Sequence, residues 1–296
     1  MAATSDAGRH WIRSTIRHRL KQCRVVAKKL HSTPSDDEHV HQLRIATRRA
    51  DAALRLFAPS LPPKPVRRMR RRLQAVRRAA GDVRNLDVLL QRLAHDLRHS
   101  DSSDAGEAAV IAHLQRIRRR TVRRLLKQLP RLLDKRYRRL SKRLTRQVDD
   151  EPARSKPLRP LRLLQPLADQ FTRAGARDLS KIANLHQLRI SGKRVRYALE
   201  ILRGQIPARQ YALLQKALKQ LQEAAGTIND HHTAILLLGK VRKRCGNRAT
   251  RRSLKRLITN EQQHLASRHA AFLKWWETAE AAQRNTIRNC SSLAAS

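Results

Sequence analysis

Aromatic residues are scarce in this sequence, three each of Phe, Tyr and Trp among 296 residues. Such scarcity argues against a platform of stacked bases, the device of many single-strand binders. Cysteine is rarer still. Cys23, Cys245 and Cys290 are too few and too scattered for a disulfide framework or a thiolate metal site, so a reducing cytoplasm is the expected compartment. No stretch approaches 18 apolar residues, so no transmembrane helix and no membrane partner are expected. The N-terminal MAATSDAGRHWIRSTIRHRL lacks the apolar run of a signal peptide, although its basic, alternating character loosely resembles a transit peptide.

The deepest deficit is acid. Asp and Glu number 23 against 66 Lys and Arg, giving a formal net charge of +43. No acidic cluster is present that could hold Mg²⁺, and the chain has neither a Walker loop nor a GxSxG motif. The acids at 149–151 fall in a linker-like stretch. Neither a catalytic residue nor a cofactor is therefore expected. The 13 histidines show no ligand spacing such as HExxH, and their cationic neighbours disfavour a metal, so no metal site is expected either.

Hydrophobic residues still make up 40% of the chain, more than a disordered polycation carries. A folded protein that attracts polyanions is the first inference. Apolar residues recur at spacings of three and four over long stretches rich in Leu, Arg, Ala and Gln, which predicts an all-α chain. The spacing places helices near 8–31, 36–57, 64–80, 83–99, 104–128 and 130–148. A second set falls near 160–173, 178–203, 208–225, 230–245 and 248–275. Ser35 with Glu38 reads as a capping box, and the prolines within 58–65 read as a break. Residues 149–160, DDEPARSKPLRP, read as a linker between a first helical repeat (1–148) and a second (161–280), with 281–296 as a flexible tail.

The chain writes one motif twice. HQLRIATRRADAALRLF (41–57) returns as HQLRISGKRVRYALEIL (186–202), and the same shift aligns LQAVRRAAGDVRNLD (73–87) with LKQLQEAAGTINDHH (218–232). Two separated blocks in one register imply a duplicated unit. Gly81 and Gly226 match within it, and each is expected to end a helix.

On a helix, Leu43, Ala46, Ala50, Ala53, Leu54 and Phe57 share one side, with His41, Arg44, Arg48 and Arg55 opposite. The second copy sets Leu188, Val195, Ala198, Leu199 and Leu202 against His186, Arg189, Lys193 and Arg196. Arg49 and Arg194 lie on the flanks, within reach of these stripes. A solvated face normally mixes signs, whereas these stripes hold almost no acid apart from Glu200. Guanidinium groups suit bidentate contacts to phosphate oxygens, so a phosphate-binding stripe is the favoured reading. The histidines are expected to be disfavoured in their charged form beside Arg44 and Arg189 until an anion arrives.

The duplicated pattern H-x-L-R-[IV]-x-x-[KR]-R-x-x-x-A-L in an arginine-rich helical chain resembles the CHAD family (conserved histidine α-helical domain). The later blocks, AAGDVRNLD (79–87) and AAGTINDHH (224–232), match that family at Arg84, Asp87, Asn229 and Asp230. They depart from it at Asn85 and at the Ala before each Gly. The resemblance, over about 10–275, implies two pseudo-twofold-related antiparallel helical bundles about a central basic cavity or groove. It also implies inorganic polyphosphate as ligand and association with polyphosphate granules. By matching position, His41, Arg44, Arg48, Arg49, His186, Arg189, Lys193 and Arg194 would line the site, with Arg196 continuing the second stripe. Arg84 matches too, although a salt bridge to Asp82 or Asp87 would explain it equally.

Nucleic acid is the rival ligand, since its phosphates attract the same charge. RRMRRR (67–72), RIRRRTVRR (116–124) and KRYRRLSKR (135–143) could track any polyanion. The repeated helices offer little chemistry for reading base edges, so non-specific nucleic-acid affinity is expected as a side property.

Overall fold

The computed structural model describes residues 5–34, 36–98, 105–146 and 160–295. Every regular element among them is helical: α1 (Ser5–Ser32), α2 (Asp37–Leu56), α3 (Pro63–Arg98), α4 (Ala105–Leu126), α5 (Pro130–Leu133), α6 (Lys135–Arg146), α7 (Gln165–Gly175), α8 (Ile182–Leu202), α9 (Ala208–Arg244) and α10 (Arg248–Ala295). Single 3₁₀ turns at Ala58–Ser60, Pro160–Leu164 and Arg203–Gln205 join some of these. The all-α expectation holds. Of the expected 149–160 linker, only Pro160 lies within the described residues. The backbone of α10 stays helical to Ala295, across the stretch expected as a tail.

The duplication is visible in the elements themselves. Shifting α2, its 3₁₀ turn and the start of α3 by 145 residues (41 to 186) reproduces the start of α8, the turn at 203–205 and the start of α9. Pro62 and Pro207 occupy matching positions just before the long helices, where a missing N–H costs nothing. In both copies the repeated pair packs on the helix before it and on the helix after it: α1 on α2 and α3 on α4, then α7 on α8 and α9 on α10. The copies also meet directly, α2 on α8 and α3 on α9.

Both apolar stripes are inside. Leu43, Leu54, Phe57, Leu188, Leu199 and Leu202 are all completely buried. They belong to one core shared by the two copies, while a second core joins Leu86, Leu89 and Leu93 of α3 to Leu114 of α4, Leu238 of α9 and Leu254 of α10. Neither copy therefore closes a core alone. Gly192 marks the tightest passage, where a Cβ would lie 3.2 Å from both Phe171 and Leu221.

Four local expectations are corrected. The cap of α2 is Asp36, whose carboxylate accepts from the Glu38 and His39 amides at 2.9 and 3.3 Å, while Ser35 lies outside the described residues. The helix expected over 130–148 breaks at Asp134. That carboxylate accepts from the Tyr137 amide at 2.5 Å and starts α6 afresh, as an N-cap does. Gly81 and Gly226 end nothing, because α3 and α9 run straight through them. A helix interior tolerates one glycine at a cost of about 1 kcal/mol, and packing along both long helices outweighs it.

Candidate functional site

One stretch of α3, from Arg84 to Arg92, forms a wall of the site. On an unbroken α3, Arg84, Asn85, Val88, Leu89 and Arg92 fall on adjoining faces at helical spacing. They face α2 across a groove of about 250 Å³. Arg44, Ile45, Arg48 and His41 supply the α2 wall, Arg189 and Lys193 come from α8, and Asn229, Asp230 and Thr233 come from α9. Both copies thus contribute to one cavity.

Six cations line it, against the single acid Asp230. Arg92 is held from outside by Glu261 of α10, which also takes His231 Nδ1 at 2.7 Å. The other five, Arg44, Arg48, Arg84, Arg189 and Lys193, form no ion pair among the described residues. Their neutral contacts fix position instead. Arg44 Nη1 donates to the Gly81 carbonyl at 3.0 Å, and Arg189 Nη2 donates to Asn229 Oδ1 at 2.7 Å. Arg189 Nε is buried with no hydrogen-bond partner.

Crowding like charges in a half-buried site raises the cost of each one. Burial, then Arg189, Arg48 and Arg44, pushes the Lys193 amine down to about 7. Burial, then Arg48, Arg84 and Arg189, pushes Arg44 down to about 10, still charged at neutral pH. Arg189 moves down for the same reasons, burial first and Arg48 second. His41 is lowered by burial and then by Arg84, and His186 by burial and then by Arg189, as the sequence led us to expect. The resting groove is short of negative charge and binds protons reluctantly.

Not every residue of the expected site arrives here. His41, Arg44, Arg48, Arg84, Arg189 and Lys193 line the groove. His186 stands beside it, its Nδ1 3.1 Å from Asn229 Oδ1. Arg49, Arg194 and Arg196 turn elsewhere. Arg49 Nε pairs with Glu200 at 2.9 Å and Arg196 Nη1 with the same carboxylate at 3.2 Å. Arg194 Nη1 reaches Gln170 at 3.2 Å, near the cluster that Arg55, Arg70 and Arg77 form around Asp51. Arg84 makes no salt bridge to Asp82 or Asp87 among the described residues, and Asp87 is taken by Arg118 at 2.6 Å. Sequence reasoning missed Arg92, Asn85 and Thr233. Arg92 was readable as two turns beyond Arg84, since both fall within the helix expected over 83–99.

Comparison with known proteins agrees with this architecture. A family model for the CHAD domain matches residues 14–239. A crystal structure of the CHAD domain from the plant Ricinus communis superimposes with a TM-score of 0.71 at 24% identity, over 90% of this chain and 88% of that one. PptA from Streptomyces chartreusis superimposes with a TM-score of 0.68 at 20% identity, over 91% and 99%. No curated protein matches. With the family model spanning most of its length and both His–Arg helices inside the matched region, the chain belongs to the CHAD domain family.

Proposed function

We propose that this chain is a non-catalytic binder of inorganic polyphosphate, held in the groove between α2, α3, α8 and α9. One observation carries the reading: five cations without an ion pair among the described residues converge there from both copies, and the buried Nε of Arg189 still lacks an acceptor. A buried charged donor left unsatisfied is costly, and phosphate oxygens are the acceptors that guanidinium groups match best. A flexible phosphate chain enters such a groove. A duplex roughly 20 Å wide, judged from its groove dimensions, does not. In the cell this binding would place the protein at cytoplasmic polyphosphate granules.

The test is displacement of labelled long-chain polyphosphate at physiological salt. Unlabelled polyphosphate should displace it readily, while duplex DNA, RNA and pyrophosphate should do so poorly at equal phosphate concentration. Equal displacement by DNA would overturn the reading in favour of a general polyanion binder.

A further inference from the structure

Most charge on this protein lies outside the groove, and one helix concentrates it. All seven Lys and Arg of the 12-residue α6 are exposed, and the helix contains no acid. None of the seven forms an ion pair among the described residues. Like charges four apart, such as Lys135 with Arg139 and Arg139 with Arg143, weaken a helix. Elsewhere the chain relieves an exposed lysine with an acid at that spacing, Lys219 with Glu223. On α6 it does not.

Yet α6 is firmly docked. Tyr137 and Leu144 are buried beneath it, and the Tyr137 hydroxyl donates to the Leu20 carbonyl of α1 at 2.9 Å. Its N-cap Asp134 is gripped by Arg72 of α3 at 2.9 Å. Arg68 and Arg71, on the turn of α3 leading to Arg72, are exposed and extend the basic face. Along α3 this surface lies about 18–24 Å from Arg84 and about 30–36 Å from Arg92, at 1.5 Å per residue. The two basic regions are separate.

The surface chemistry narrows the partner. α6 shows solvent no aromatic side chain for stacking bases, since its one aromatic, Tyr137, is buried, which disfavours single strands. Its apolar side chains face inward, leaving nothing to insert into a bilayer interface, which disfavours an anionic lipid surface. What remains is a rigid, convex row of cations about 18 Å long. A duplex carries one phosphate charge per roughly 1.7 Å of axis, so such a row spans about ten of them.

We propose that the outward face of α6, with the adjoining turns of α3, binds duplex nucleic acid through its phosphates without sequence preference, at the same time as polyphosphate occupies the groove. The protein then links two polyanions that would otherwise repel each other. This assignment of α6 stands independently of the groove. If the groove bound no polyphosphate, duplex binding on α6 would persist.

The experiment uses the full chain and a labelled DNA duplex, with affinity followed over a range of salt. Arg136→Gln/Arg139→Gln/Arg143→Gln/Arg146→Gln should keep its helix content, because it removes only exposed, mutually repelling charge. Its duplex affinity should fall at least about tenfold, and the log–log salt slope should flatten by about 0.9 for each phosphate no longer neutralised. The same four positions changed to Lys should bind nearly as well as the native chain, since phosphates here sense charge alone. Arg44→Gln/Arg189→Gln should keep duplex affinity, and a short polyphosphate should bind together with the duplex as a ternary complex. Undiminished duplex binding by the four-Gln variant would overturn the proposal. So would mutual exclusion of duplex and short polyphosphate, or binding of phosphatidylserine vesicles in place of the duplex.

Discussion

Lys193 stands where the first copy has Arg48, and that exchange makes the groove responsive to pH. Guanidinium keeps its proton throughout the physiological range, whereas an amine surrounded by cations does not. With its value lowered from 10.5 to about 7, the folded protein holds Lys193 neutral over a range in which the unfolded chain holds it charged. The empty protein should therefore gain stability as pH rises from about 7 toward 10.5 and carry the full penalty below 7. Lys193→Met should flatten that part of the thermal stability profile. A polyanion restores the proton, so binding at pH 8 should take up protons, measurable by calorimetry in buffers of different ionisation enthalpy. Lys193→Arg should abolish the uptake and retain binding. A second test at this scale is Arg44→Ala with Arg189→Ala, expected to cost roughly 1.5–3 kcal/mol of binding per charge-assisted hydrogen bond while leaving helix content intact. Leu43, fully buried on the opposite side of α2, should behave in reverse. Leu43→Ala should cost about 2–5 kcal/mol of stability by leaving a cavity, with binding per folded molecule unchanged.

At the scale of elements, the helix faces were plain in the sequence and the crossing of the two copies was not. Every residue of both apolar stripes is buried, because a three-four spacing leaves a helix only one face to bury. The flanks depended on what α2 and α8 meet. Asp51 and Arg55 of α2 correspond to Arg196 and Glu200 of α8, so the duplicated helices carry one acid–base pair in opposite order. That reversal gives Arg49 a partner in Glu200 on the facing helix and sets Arg194 near Asp51, drawing both away from the groove. The signal was present in the aligned repeats, but its meaning required knowing that α2 packs on α8. The glycines misled for a similar reason. A lone Gly at matched positions suggests a helix end, yet tertiary packing carried α3 and α9 through. Asp51 gives this scale its test. Burial pushes its carboxyl up, but Arg70, Arg55 and Arg77 together outweigh that and hold it below the usual carboxylate range. The pairs stabilise the fold above pH 3.8, and that contribution disappears as pH falls through the lowered value. Asp51→Asn should lower stability by about 1–3 kcal/mol, a range discounted because the three arginines are partly exposed. Urea denaturation at pH 7 would measure it.

For the whole molecule, a net charge of +43 makes ionic strength the main external control on any anionic ligand. Polyphosphate affinity should fall steeply as salt rises, because each phosphate engaged releases counterions. Bound chains should also raise the melting temperature by mass action. Charge alone, however, does not require that His41–Phe57 be written again at His186–Leu202. The duplication acquires a role only if both copies hold the same chain, so that a phosphate strand captured by Arg44 and Arg48 presents its next units to Arg189 and Lys193 at high effective concentration. The most direct measurement is affinity per phosphate against chain length, from pyrophosphate upward. If both copies hold one chain, the shortest chains bind weakly, affinity rises steeply once a chain spans the cations of both copies, and a plateau follows. Affinity per phosphate that stays constant from the shortest chain to the longest would contradict that shared hold.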